Sequence, residues 1–449
     1  MPEMIPGFGG TVIGPDDDGY DTHREVWNAV VDRRPALIAR CTSAADVAAA
    51  IGFARQRDLE IGVKCGGHSV LGLSVPHEGL MVDLTPMGEV RIDPTARRAV
   101  VGGGALLRSL DRAAQEHGLA TTAGNVSHTC VGGLTLGGGM GWLARQAGLA
   151  CDNVEAYTVV LADGETVRAT ATDHPDLFWG LRGGGGNFGV VTEFEFRLHP
   201  VAGHVLMVEL TFDVADAVEP MRRWRDLLAD APRAATLTAD AVTADGRPVV
   251  IIGYVWVGDP DEALAYLPTM RSIGTPRDES VSPMSYLDLQ SIGDENHHHG
   301  KRRYSAGHYL PELSDAAIDA FLTRGLAAAD GVDWTRAAAG GFQAYGGAIG
   351  EVSNKDSAFS HRATLVEFFA GQSWTDPAED EERMASARAF GAALEPFATG
   401  SYVNALAEQG EAQVMRAYGA AKLARLAAVK RRYDPDNVFH LNQNIAPAP

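Results

Sequence analysis

The sequence predicts an α+β fold, and two observations carry that expectation. Between residues 59 and 198, short β-type runs follow one another with few helical segments between them. Beyond residue 200, β-type runs again alternate irregularly with helices. A doubly wound sheet would need a strict strand–helix–strand rhythm, which is absent.

The elements read as follows. Ala44–Arg57 carries Val47, Ala50, Ile51 and Ala54 at helical spacing, with Ser43 placed to cap its N-terminus. Leu59–Val63 reads as a buried strand. Leu80–Leu84 and Ala99–Val101 are further short β-type runs. Gly102-Gly103-Gly104 then opens a helix bearing Leu106, Leu107, Leu110 and Ala114. Tyr157–Leu161 and Thr166–Ala169 flank Ala162-Asp163-Gly164-Glu165, a hairpin-turn signal. Val190–Leu198 alternates: Thr192, Phe194, Phe196 and Leu198 face one way, and Glu193, Glu195 and Arg197 the other. Composition shifts near residue 200. From Val205 to about Val255, β-type runs surround a helix at Val218–Ala229. Ala316–Ala329 and Glu379–Leu394 are expected helices, Leu365–Phe369 a strand, and Ala412–Val429 a helix ending in Lys430-Arg431-Arg432. No internal repeat or low-complexity linker interrupts the chain.

A chain of 449 residues suggests two or three domains. It can bury roughly three-quarters of its unfolded surface, so it needs no metal or disulfide staple. The formal net charge of −20 argues against nucleic acid or anionic membrane as partner, since both need a basic face. No apolar run approaches the ~18 residues of a spanning helix. Met1-Pro2-Glu3-Met4 lacks a basic and then apolar signal, so the cytoplasm is expected. Cys41, Cys65, Cys130 and Cys151 show no C-x-x-C spacing and fit neither a disulfide scaffold nor a zinc site.

Lys64-Cys65-Gly66-Gly67-His68-Ser69 follows the strand at Leu59–Val63. Two glycines let the backbone turn tightly and present N–H groups, the geometry that cradles a phosphate. An imidazole beside such a cradle can hold a nucleotide cofactor covalently. A plain Gly-rich turn with a surface histidine is the competing reading. Val131–Trp142 is the densest glycine cluster, and Gly183–Gly189 a second one. Gly184, Gly186 and Gly189 form a G-x-G-x-x-G, but the alternating run from Val190 replaces the helix a dinucleotide site requires. No P-loop and no G-x-S-x-G elbow occur. Asp294-Glu295-Asn296-His297-His298-His299 has the composition of metal ligands. Adjacent histidines on one loop rarely converge on an ion without ligands from elsewhere, so a solvated loop near a site mouth is expected and no metal. His128 stands two residues from Cys130 and could activate it. A small residue filling a glycine-rich turn is the preferred reading of Cys130.

Taken in order along the chain, several segments resemble the berberine bridge enzyme-like FAD-linked oxidases, within the vanillyl-alcohol oxidase-type flavoproteins. They are Arg34–Ile38, Lys64–Ser69, the glycine segment 124–142, Gly148–Asn153, Asp176–Trp179, Arg182–Val191, His361-Arg362, Tyr433–Phe439 and Asn442–Ile445. They span nearly the whole chain and look most like the bacterial, 6-hydroxy-D-nicotine oxidase-like branch. The resemblance implies FAD in a two-part domain, residues 1–203 and 406–449. An antiparallel-sheet substrate domain, residues 204–405, would lie between. It implies a bond from His68 to the flavin 8α-methyl. The cofactor-binding positions it implies are Lys64, Cys65, Gly66, Gly67, His68, Ser69, Gly72, Gly124, Thr129, Cys130, Gly132, Gly133, Thr135, Gly137, Gly138, Gly189, Val190, Asn442 and Asn444.

Doubly linked relatives carry a second, cysteinyl bond six residues before the Gly-Gly pair. Here the pair is Gly132-Gly133 and that position is Val126, so Cys130 is out of register and a single link through His68 is expected. The plant Tyr-x-Asn-Tyr motif reads Tyr402-Val403-Asn404-Ala405, without its second phenol. Tyr402 keeps the first position. The family's other substrate-facing position falls on Glu367, seven residues before Trp374. An acid inside an apolar strand has a raised pKa and suits a general base; a salt bridge to Arg362 is the alternative. Glu367 and Tyr402 are thus the candidate catalytic residues.

The activity implied is oxidation of a C–H next to a hydroxyl or amine, with hydride passing to flavin N5 and dioxygen reduced to hydrogen peroxide. A dehydrogenase with another acceptor is the first alternative, because Thr129 holds the oxygen-gating position where relatives are aliphatic. A non-catalytic flavin or metabolite binder is the second, because Ala405 lacks the phenol. The substrate is a small molecule whose class is left open, as is the oligomeric state.

Overall fold

The computed structural model describes residues 4–326 and 333–449. Met1–Glu3, part of the N-terminal reading, lie outside the described residues, as do residues 327–332.

The helix Ala44–Gln56 begins where the sequence places its cap. Ser43 Oγ accepts from the Asp46 N–H at 3.2 Å, and Asp46 accepts from the N–H groups of Gly9 and Thr42. Its Val47, Ala50, Ile51 and Ala54 pack under a small sheet. In that sheet Leu37–Arg40 and Ile61–Lys64 both run parallel to Leu80–Asp83, with Thr11–Ile13 on the edge. Strands that run the same way need a crossover, and this helix carries the chain from Leu37–Arg40 to Ile61–Lys64, on either side of Leu80–Asp83. The Gly-Gly-His loop therefore leaves the C-terminal end of a parallel strand.

A second sheet is antiparallel, in the order Val90–Asp93, Arg98–Gly102, Val190–Arg197, Val154–Val160, Thr166–Ala169. The strand after Gly189 is thus real, and no dinucleotide-binding helix follows. Phe194 and Phe196 of this sheet share a core with Leu107 and Leu110 of the helix Leu107–Gln115. Val414, Tyr418, Leu426 and Tyr433 from the C-terminal segment join the same core.

Residues 204–374 build a seven-stranded antiparallel sheet. Its order is Asp278–Ser285, His204–Asp213, Arg247–Val257, Ala235–Ala244, Ala339–Ala344, Val366–Trp374, Arg302–Leu310. Alternation divides it. Leu206, Val208, Leu237, Ala239, Phe342, Val366 and Phe368 bury against helices carrying Trp224, Phe321 and Phe390. The opposite face looks towards the glycine loops.

Two helices differ from expectation. The one expected at Ala316–Ala329 spans Asp315–Thr323. It stops because Arg324 turns left-handed (φ 52°) and sends its guanidinium to the Val242 carbonyl and Thr243 hydroxyl of the sheet. The one expected at Ala412–Val429 is two, Glu411–Tyr418 and Ala420–Tyr433. Gly419, at φ 72° and ψ 158°, breaks the helical dihedrals between them. Among the described residues no helix is long and apolar enough to cross a membrane.

Candidate active site

Between the glycine loops and the open sheet face lies a cavity of about 730 Å³. Its walls come from segments far apart in sequence: Cys65–Val70, Gly124–Val126, Thr129–Leu134, Gly185–Asn187 and Leu441–Gln443 on one side, and strand residues Thr238, Asp240, Gly341, Gln343, Glu367 and Phe369 on the other. Gly67 adopts φ 66°, which turns the loop so that His68 faces the cavity. A side chain on Gly66 would collide with Cys130, 2.9 Å from its Cβ position, so two loops touch there through bare backbone. Buried oxygens of Asn125, Asn442, Gln443 and Asn444 have no partner among the described residues. Bare glycine backbone and orphaned amides fit a large ligand rich in polar groups, as a dinucleotide is.

Of the residues expected to bind the cofactor, Cys65, Gly66, Gly67, His68, Ser69, Gly124, Thr129, Cys130, Gly132, Gly133, Gly189, Val190 and Asn442 line this cavity. Lys64, Gly72, Thr135, Gly137, Gly138 and Asn444 do not. Lys64 is buried and donates to the His23 carbonyl. Gly72 lies against Val31, Gly137 against Asn404 and Gly138 against Phe359. Thr135 is buried within the helix Val131–Leu136. The Asn444 oxygen is one of the orphans.

His68 Nε2 stands 2.8 Å from His128 Nδ1, and its Nδ1 3.4 Å from Thr129 Oγ1. Its ring stacks on Trp27 at 5.1 Å. Burial, helped by the neighbouring imidazoles of His128 and His299, pushes its pKa down to about 2. The ring is therefore neutral, and one of its two nitrogens carries a lone pair. His128 thus partners His68 and does not serve Cys130. Cys130 caps the helix Val131–Leu136, its thiol donates to the Gly103 carbonyl, and burial pushes its pKa up. The loop expected to be solvated near a site mouth exposes His298 and His299 and lies against the cavity. His297 lines the cavity, and the His299 ring lies 5.7 Å from His68. The ligand atoms of His68, His128 and His299 fall within 4.8 Å of one another because two distant loops meet the histidine loop there.

Glu367 sits on the cavity face of the sheet, directly across from Gln343 on one side and Tyr309 on the other. The Tyr345 hydroxyl donates to its Oε2 at 2.9 Å. Burial pushes its pKa up to about 7, and the Tyr345 hydrogen bond opposes this only in part. Arg362 does not pair with it. That guanidinium is committed to Asp152 at 2.7 and 2.9 Å and to the Ser357 hydroxyl. Tyr402 also lines the cavity, but its hydroxyl accepts from the Gly139 N–H and the Asn404 amide, both at 2.9 Å. Burial pushes its pKa up, so it stays a neutral phenol.

Comparison with known proteins agrees with this architecture. Residues 35–170 match the FAD binding domain family, and residues 401–446 the berberine and berberine-like family. The chain is 31% identical to (R)-6-hydroxynicotine oxidase of Paenarthrobacter nicotinovorans, over 98% of this chain and 97% of that one. The chain belongs to the berberine bridge enzyme-like FAD-linked oxidoreductases. An FAD-linked oxidoreductase of Dictyostelium discoideum is 30% identical over 94% of this chain and 91% of its own. The crystal structure of 6-hydroxy-D-nicotine oxidase from Arthrobacter nicotinovorans superposes with a TM-score of 0.88, at 28% identity and 98% coverage of both chains. The fold is the vanillyl-alcohol oxidase type, and the protein is an FAD-dependent oxidoreductase.

In this berberine bridge enzyme-like oxidoreductase, sequence reasoning missed several wall residues. Trp27, Thr238, Asp240 and Gln343 reach the cavity only through strand pairing and loop packing. For Asp240 a signal existed: in Ala235-Thr236-Leu237-Thr238-Ala239-Asp240 the polar residues alternate with apolar ones, as around Glu367.

Proposed function

We propose that this protein is an FAD-dependent oxidase of a small organic substrate, with Glu367 as general base and His68 as the sole covalent anchor of the cofactor. FAD held along the glycine loops would supply a two-electron acceptor for the substrate's hydride, with dioxygen as the final oxidant and hydrogen peroxide as product. The observation that carries this reading is Glu367, a half-buried carboxylate with a single donor, facing the cavity that His68 and the glycine loops also line. In its ionised form Glu367 takes the proton from the substrate's hydroxyl or amine as the adjacent C–H bond breaks. Tyr345 orients that carboxylate. Tyr402, fixed by two donors, supplies a neutral wall and moves no proton. The neutral His68 ring, held by His128, presents a nucleophilic nitrogen for the cofactor bond. Residues 1–203 with 406–449 would hold FAD, and 204–405 would cover the substrate, in keeping with a core shared by Phe194 and Tyr418.

The test is anaerobic mixing of purified protein with candidate alcohols and amines, followed by air. Bleaching of the flavin and then rapid return of colour with stoichiometric peroxide supports the oxidase. Bleaching without rapid return assigns a dehydrogenase, which the hydroxyl of Thr129 beside His68 would favour.

A further inference from the structure

The substrate side of the cavity carries a second carboxylate that the reaction above does not use. Asp240 lies on the strand Ala235–Ala244, across from Gly341, which in turn pairs with Phe369. A Cβ on Gly341 would come within 2.1 Å of Asp240 Oδ1. The carboxylate thus lies over the bare backbone of Gly341 and leans towards the strand of Glu367. Gly341 and Glu367 are diagonal cross-strand neighbours, a spacing of roughly 7–8 Å. No hydrogen-bond donor reaches Asp240 among the described residues. Two strands from it, beyond Gly341, Phe369 lays its ring over Gly371 and is 42% exposed, although it sits mid-strand between buried Phe368 and Ala370.

The charge of the surroundings is equally one-sided. Among the described residues no lysine or arginine lines the cavity. Arg303 lies further along the same sheet face, and its N–H groups are committed to the carbonyls of Trp27, Asn296, His298 and Lys301. Glu209, on the cavity-side face of its strand, adds negative charge near Asp240. A half-buried, unpaired carboxylate in a cavity that an open aromatic ring also lines suits an organic cation: the anion supplies charge and the ring a cation–π contact.

We propose that Asp240, laid over Gly341 with Phe369 on the far side of that glycine, is a cation subsite that seats the ammonium group of an amine substrate while its reacting end meets Glu367. The placement of the reacting end rests on the oxidase reading; the subsite itself does not. Burial and Glu209 raise the Asp240 pKa to about 7, so a bound cation drives the proton off this carboxyl. A neutral ligand leaves the proton in place.

Anaerobic calorimetric titration of the purified holoenzyme with 2-phenylethylamine and with its neutral counterpart 2-phenylethanol reads binding, and the flavin absorbance reads reduction separately. At pH 8 the amine is expected to bind at least tenfold more tightly. At pH 6, buffers of different ionisation enthalpy should reveal proton release on amine binding. Asp240→Asn should abolish both the preference and the release. Gly341→Ala, which displaces the carboxylate without changing charge, should weaken the amine at least fivefold. Glu367→Gln should keep the preference while losing flavin reduction. Equal affinities in the wild type, or a tenfold preference that survives Asp240→Asn, would overturn the subsite. Undiminished flavin reduction in Glu367→Gln would instead overturn the base and leave the subsite standing.

Discussion

Glu367 shows how much one residue's surroundings decide. Its carboxyl is poised near neutrality because burial opposes the charge and only Tyr345 favours it. A base works when ionised, so kcat/KM should rise with pH through about 7 and level off above it. Tyr345→Phe removes the favouring donor and should move that limb to higher pH. Glu367→Gln should lower kcat by about 10²- to 10⁴-fold, the usual worth of a positioned base. Its stability should move the other way. The folded-state pKa lies above the ordinary 4.5, so the native protein binds more protons than the unfolded chain and loses stability as pH rises from about 4.5 to about 7. Glu367→Gln should therefore raise the melting temperature more at pH 8 than at pH 5. For His68 the readout is the cofactor itself. Flavin should stay with the denatured wild type and with Cys130→Ala, and be released from His68→Ala. A flavin-modified Cys130 peptide would refute the single anchor.

Among the elements, the C-terminal helix pair records what periodicity misses. The apolar positions on both sides of Gly419 belong to one core, so the run reads as a single helix. The backbone at Gly419 is instead in a region that is essentially glycine's alone. Nothing lies within 4 Å of a Cβ there, so Gly419→Ala meets no clash and its cost is backbone strain, about 1–3 kcal/mol, read as a lower denaturation midpoint. The sheet strands were more legible, because period-two alternation follows directly from one buried face. Phe194 and Phe196 were assigned to the correct face on that pattern. The same logic marks Glu367 and Asp240 as polar residues on a face that must look into something other than solvent.

At the scale of the whole molecule, the C-terminal tail closes back on the N-terminal sheets. Buried Lys430 donates to Asp434 at 2.6 Å and to the carbonyls of Asn187 and Phe439 at 2.7 and 2.9 Å. One ammonium thereby ties the Gly183–Gly189 loop to the tail that carries Asn442. Lys430→Met strands the Asp434 charge and should cost roughly 3–5 kcal/mol, seen in denaturant unfolding together with faster loss of flavin. The sequence by itself determined the strand alternation, the glycine loops, the histidine beside them and the family, because these are local patterns or ordered motifs. It also determined that no dinucleotide helix follows Gly189. Only the tertiary structure decided which groups meet. It gave Arg362 to Asp152 and left Glu367 with Tyr345; it set His128 and His299 beside His68; and it laid Asp240 over Gly341. Each of these pairings joins residues from separate segments, and their energies depend on burial and partner distance, which no local pattern encodes.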